Sequence, residues 1–186
     1  YKQLIEPLYG NKRNENNDNE LLQSNTLPHP YSINERIDMT MHETYSIDPD
    51  GCEDADDAFS IFKENDKMFL AIHIADPTEH INIKSSLWKD MEKRVVTKYP
   101  SFSPPNHMIP HEIMAKSSLM VNEYGNMKLA ITVLSEINTS TYEPMGSIKL
   151  LFTKIKVDSE NALSYTKAGA DVENNVQGVI YLVTQV

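Results

Sequence analysis

The run Ile47-Asp48-Pro49-Asp50-Gly51-Cys52-Glu53-Asp54-Ala55-Asp56-Asp57-Ala58 puts six acidic side chains into one short stretch. Carboxylates this dense repel one another unless something neutralises them. Apolar segments flank the run directly: Tyr45-Ser46-Ile47 leads in, and Ala58-Phe59-Ser60-Ile61-Phe62 leads out. The run therefore reads as a loop set against a core. Pro49 and Gly51 favour a tight turn there, which can aim several carboxylates inward.

The surrounding pattern is that of strands. Glu64-Asn65-Asp66-Lys67 is polar and turn-like. Met68, Leu70, Ile72 and Ile74 alternate with Phe69, Ala71, His73 and Ala75. Both faces are largely apolar, which predicts a central strand buried on both sides. Together these segments predict a hairpin with the acidic loop at its entrance. Over residues 85–98 the period changes to that of a helix, with Leu87, Trp88, Met91 and Val95 on one face and Ser85 or Ser86 as cap. Residues 99–110 are rich in Pro and Ser and read as irregular. Residues 128–134 and 148–157 read as strands paired across the loop 138–145. Near the end, Val176, Val179, Ile180 and Val183 have helical spacing although their β-branched side chains favour a strand; the reading leans to a helix. The fold class is α+β.

Residues 10–19 contain no large apolar side chain and read as a flexible linker. Leu27-Pro28-His29-Pro30 is extended by its prolines and starts the ordered part. The 186 residues suffice for one domain with a real core. The single cysteine, Cys52, excludes a disulfide framework and a four-thiolate zinc site, which fits the cytoplasm. No apolar run approaches bilayer length, and Tyr1-Lys2-Gln3-Leu4 lacks the apolar core of a signal peptide. The chain does not start with Met and reads as a piece of a longer protein. Its net charge of −10 argues against a nucleic-acid partner held mainly by charge.

Hard cations with oxygen ligands are the natural counter-charge for such a loop. A calcium loop of the EF-hand type fails in both registers. Counted from Asp48, position 6 is Glu53 and position 12 is Phe59; counted from Asp54, position 5 is Ala58. Magnesium, held by a few carboxylates and substrate phosphates, fits better. Spacing by itself leaves a metal site and a solvated acidic loop both open.

Asp48, five residues, Asp54, one residue, then Asp56-Asp57 and a small residue resembles the signature of the RNase II/RNB family of exoribonucleases. Leu70-Ala71-Ile72-His73-Ile74-Ala75-Asp76-Pro77 resembles that family's His-Ile-Ala-Asp strand. Leu27-Pro28-His29-Pro30-Tyr31-Ser32, Ile109-Pro110-His111-Glu112-Ile113, Leu129-Ala130-Ile131-Thr132-Val133 and Leu163-Ser164-Tyr165 resemble further segments in the right order. The resemblance covers about residues 27–172. It implies a mixed, mainly antiparallel sheet with helices. Residues 27–186 would form the N-terminal portion of the nuclease domain, behind an extension at 1–26.

The activity the resemblance implies is hydrolysis of single-stranded RNA from 3′ to 5′, with Mg2+, releasing nucleoside 5′-monophosphates. Asp48 and Asp57 would be metal ligands. Asp54 and Asp56 would complete the catalytic site, with Asp56 mattering most for the chemical step. Phe102 aligns best with an aromatic that stacks on a base near the RNA 3′ end, and Tyr99 second. The competing reading of both is an aromatic packed under its own loop. His73, in a strand, reads as a core residue with both nitrogens satisfied, and Asp76-Pro77 as a support for the loop beside the site.

Three departures stand out. Lys116-Ser117-Ser118-Leu119-Met120-Val121-Asn122 replaces a Cys-Ser-Leu-Asn-type stretch. The family's catalytic arginine lies further downstream, and the flanking cold-shock and S1 modules are absent. The alternative function is an inactive domain of the same type that binds RNA or serves as an assembly component. The location would be the cytoplasm, or the nucleus or a larger particle.

Overall fold

The computed structural model describes residues 13, 15–27, 35–52 and 54–173. Its helices are α1 (Glu15–Ser24), α2 (Ser86–Arg94), α3 (His111–Ser117) and α4 (Tyr165–Glu173). Its strands are β1 (Ile37–Asp38), β2 (Ser46–Asp48), β3 (Asp57–Glu64), β4 (Lys67–Ala75), β5 (Met127–Ile137), β6 (Pro144–Lys156) and β7 (Ala162–Ser164). Pro28, His29 and Pro30 of the extended segment and the whole apolar stretch 176–183 lie outside the described residues. Two compact units result. One takes in residues 77–116 with the N-terminal segment up to residue 31; the other takes in residues 32–76 and those from Ser117 onward.

The first unit is helical. Ile81, Leu87, Met91 and Ile113 form its core, with Leu21, Leu22, Trp88, Met108 and Ile109 packed against it. Ser85 caps α2 by accepting from the Trp88 N–H at 3.2 Å, and Lys93 and Arg94 complement the other end of the helix dipole. The helix stops at Val95, whose φ of 69° cannot continue it. Val95 consequently leaves the apolar face expected for it and is 73% exposed. The expected linker over 10–19 is a second difference, since α1 starts at Glu15. Its polar first turns are carried by Leu21 and Leu22, which reach the core. Arg13 is held beside it by Asp18 and Asp90 and by the His107 and Met108 carbonyls.

The second unit is built on a five-stranded sheet in the order β1-β6-β5-β4-β3. All its pairings are antiparallel except β1 with β6. β2 and β7 pair in parallel as a separate ribbon. The mixed, mainly antiparallel sheet agrees with the sequence reading, as does the β5–β6 pairing. Asn65 and Asp66, at φ 48° and 64°, form the two-residue turn of the β3–β4 hairpin; both residue types tolerate this left-handed geometry. β4 is central, as expected, but it is not buried on both faces. Ala71 and His73 are buried, while Ile72 and Ile74 on the other face are 40% and 42% exposed. Register continues that open face through Val133 to Leu150 and through Ile131 to Phe152, so the alternation has one core side.

That core side contains small residues, Ala58, Ala71 and Ala130, packed with Met39, Leu119, Ile155 and Val157. It also carries a polar row. His73 is fully buried, with Nε2 3.0 Å from Ser60 Oγ and Nδ1 2.8 Å from Thr132 Oγ1. Thr44 Oγ1 lies 3.3 Å from Ser60 Oγ, and Thr153 Oγ1 2.6 Å from Thr132 Oγ1. At the sheet's end Arg36 and Asp76, both buried, form an ion pair at 2.6 Å. Arg36 also donates to the carbonyls of Ala130 (3.3 Å) and Thr153 (3.5 Å) and lies over the Phe152 ring. Breaking such a pair by removing one partner costs about 3–5 kcal/mol, because the other charge is left buried.

Burial, with the nearby His42 adding to it, pushes His73 down to about 4. The unfolded chain binds a proton there below its ordinary value of 6.5, whereas the folded chain does not until about 4. The contribution is therefore fully present above pH 6.5 and is lost as pH falls toward 4, by up to about 3 kcal/mol. Urea midpoints should drop from pH 7 to pH 5, and His73→Gln should flatten that drop. Equal pH slopes for the two proteins would contradict the assignment.

Candidate active site

The acidic loop lies in the second unit and is pinned along its length. Its entrance is β2, whose parallel pairing sets Ile47 opposite Leu163 and Asp48 opposite Ser164. Leu163 and Ala168, with Tyr45 and Ile47 against them, form a small core under that ribbon. Pro49 opens a turn closed by the Cys52 N–H donating to the Pro49 carbonyl at 3.0 Å. Gly51, at φ 79°, supplies the left-handed residue this turn needs. Thr166 on α4 donates to Asp50 at 3.0 Å.

Ala55 is the anchor of the far side. It is fully buried in the main core. Its N–H donates to Ser118 Oγ at 3.2 Å, and its carbonyl accepts from the Leu119 N–H at 2.9 Å. The Ala75 N–H donates to the Asp56 carbonyl at 2.8 Å, and Asp57 starts β3 opposite Ile74. One apolar residue drawn inward thus fixes the backbone that carries Asp54, Asp56 and Asp57.

The four aspartates differ in environment. Asp56 and Asp57 are exposed, and Asp54 is half-buried. Asp48 is half-buried too, and its Oδ2 is buried without a hydrogen-bond partner, as is Ser46 Oγ on the same strand. Burial raises the Asp48 pKa above the ordinary carboxylate value, and the charges of Asp57 and Asp56 add to the effect. The neighbouring Ser46 hydroxyl and the Cys52 thiol work against it. Cys52 donates chiefly to the Asp54 carbonyl, at 3.2 Å. A cleft of about 290 Å³ opens beside Asp48, lined by Cys52, Met120, Val121 and Ser164 among others.

The donor chemistry fits a hard cation: an unpartnered carboxylate oxygen with two further carboxylates acting on it. Among the described residues no three His, Cys, Asp or Glu side chains converge closely enough to form a cage. Magnesium does not need one, since it keeps several waters and takes one or two carboxylates plus phosphate oxygens.

Phe102 and Tyr99 lie in the first unit, in a loop tied by the Lys98–Asn106 backbone pair. Phe102 is 100% and Tyr99 76% exposed, so neither packs under its own loop. Three polar residues of the second unit stand outside the sequence motifs. Ser46 and Lys128 are buried near the loop, and Arg36 is buried against Asp76. A polar residue spaced with the buried positions of a strand was the available signal for Ser46 and Lys128. Among the described residues no helix is long and apolar enough to cross a membrane.

The RNB domain model matches residues 36–177. Exoribonuclease 2 of Xenorhabdus bovienii is 44% identical over 81 residues, which is 42% of this chain and 12% of that protein. Mycoplasma genitalium RNase R, solved in complex with ribose-methylated single-stranded RNA, superposes with a TM-score of 0.77 at 15% identity, over 99% of this chain and 29% of that one. Yeast Ssd1, described as a pseudonuclease, superposes at 0.70 with 19% identity, over 87% of this chain and 19% of that one. The chain thus spans less than a third of the length of each.

Because ionised Asp48 is both desolvated and repelled by its neighbours, it destabilises the metal-free fold at neutral pH. Its raised pKa means that this penalty is absent below the ordinary carboxylate value of 3.8 and appears as pH rises above it. Asp48→Asn should melt at a higher temperature than wild type without divalent ions at pH 7. A lower melting temperature under those conditions would contradict the electrostatic description.

Proposed function

The chain belongs to the RNB domain family, and from that premise we propose that it carries the aspartate portion of the active site of a magnesium-dependent 3′→5′ exoribonuclease. The substrate is single-stranded RNA and the products are nucleoside 5′-monophosphates. The observation that carries this reading is Asp48: a buried, unpartnered carboxylate oxygen facing the charges of Asp56 and Asp57. A loop that merely met solvent would have no reason to draw one carboxylate oxygen inward and leave it without a partner.

Asp48 and Asp57 hold the metal. Magnesium, when bound, supplies Lewis acidity toward the phosphodiester. Asp54 and Asp56 complete the site, with Asp56 the residue on which the chemical step depends most. The Ala55 anchor and the Ala75–Asp56 hydrogen bond keep their backbone fixed, so that geometry is set before RNA arrives. Phe102 and Tyr99 present exposed rings suited to base stacking. The net charge of −10 is consistent with a carboxylate-rich site in a chain that contributes little electrostatic grip of its own. The proposed location is the cytoplasm.

A second reading has its own support. The pseudonuclease Ssd1 shares the fold, and a domain of this shape can bind RNA or scaffold an assembly without cleaving. All four aspartates of the signature are present here, which favours the enzyme.

Full-length protein incubated with 3′-extended single-stranded RNA and magnesium should release monophosphates, and Asp56→Asn should lower the rate by about 100-fold or more. The 186-residue chain alone should be inactive. No release by the full-length protein, or release that is independent of metal and unchanged by the substitution, would favour the non-cleaving reading.

A further inference from the structure

Lys128 is the one lysine among the described residues that is buried, at 2% exposure. It stands second in β5 and, with Ala130 and Thr132, lines the core side of that strand. An ammonium in such a place is unfavourable unless opposite charge or hydrogen bonding compensates. Its Nζ donates to Asn122 Oδ1 at 3.1 Å. Burial lowers its pKa, while Glu123 and Asp54 are the carboxylates that favour its charged form.

The backbone explains how Asp54 comes near. Residues 118–119 clamp Ala55 through two hydrogen bonds. The chain then runs on to the Asn122–Gly125 turn and enters β5 at Met127. Ala55 and Ala130 share one core cluster, and Ala130 pairs with Ala75, whose own amide holds the loop at Asp56. Lys128 therefore lies on the same core face of β5 as Ala130, which packs in one cluster with Ala55, the residue next to Asp54.

We propose that Lys128 is a positioning residue for Asp54: a buried cation that relieves the crowding of carboxylates in the acidic loop and holds its Asp54 arm in place. The proposal rests on the nuclease reading of that loop. If Lys128 were only a core filler, methionine would serve as well, since it fills a similar volume without the cost of burying a charge.

The test uses the full-length protein with Lys128→Met, Lys128→Arg and Asp54→Asn. Lys128→Met should lower kcat on single-stranded RNA by about 100-fold with KM changed by less than about twofold, and Lys128→Arg should recover most of the loss. In denaturant unfolding without metal, the effects of Lys128→Met and Asp54→Asn on the folding constant should fail to multiply, by about twofold or more. Wild-type kcat in Lys128→Met, or independent effects in the cycle, would overturn the proposal. If Lys128→Met does not fold, Lys128→Arg decides: near-wild-type kcat supports the role, and a folded but inactive protein overturns it. Wild-type protein without nuclease activity would count against the function, and the unfolding cycle alone would then decide on Lys128.

Discussion

The second unit depends on one buried guanidinium. Arg36 precedes the two-residue strand β1, yet its side chain meets the carboxylate that follows β4 and the backbone carbonyls of β5 and β6. Arginine suits this place because its planar fork carries several donors and stays charged at any relevant pH. Asp76 answers the charge, and the carbonyls take further N–H groups. Four strands are thus brought to a common end. The residue before Asp76 is Ala75, whose amide holds the Asp56 carbonyl. The position of the acidic loop is in that sense inherited from the ion pair.

The loop itself resolves a conflict between charge and burial by alternation. Ala55 goes inward and is fully enclosed, while Asp54, Asp56 and Asp57 are left at or near the surface around it. At the entrance the alternation of β2 points Ser46 and Asp48 the same way, and there the burial is not balanced by hydrogen bonds. The site therefore sets one carboxylate with a buried oxygen against three nearer the surface. That asymmetry distinguishes it from a patch of surface charge.

Much of this was legible in the residues. The alternation through 68–75 announces a strand, the polar Glu64–Lys67 stretch a turn, and Ser85 a cap, because each is a local preference. His73 reads as a satisfied core histidine because strand neighbours commonly offer hydroxyls. What was not legible is what depends on distant partners. Arg36 and Asp76 lie 40 positions apart, and nothing in the flanking sequence pairs them. Lys128 looks like an ordinary polar residue at the start of a strand until the 118–122 segment closes over it. Ile72 and Ile74 look buried by composition alone, but which face a sheet packs is decided by the other elements. Helix α1 was hidden by its asparagines, since its stability comes from two leucines docking on another helix. The outward position of Phe102 and Tyr99 depended likewise on how their loop closes.

The row of hydroxyls around His73 has a direction. The Thr153 hydroxyl donates to the Ala130 carbonyl, an oxygen that can only accept. Its bond with Thr132 must then be donated by Thr132, which leaves Thr132 as acceptor toward the imidazole. His73 therefore carries its hydrogen on Nδ1 and offers a bare lone pair at Nε2 to Ser60, whose oxygen in turn accepts from Thr44. A single peptide carbonyl on β5 selects the tautomer of a ring on β4 and orients the hydroxyls along a row that runs from β6 to the β3 edge.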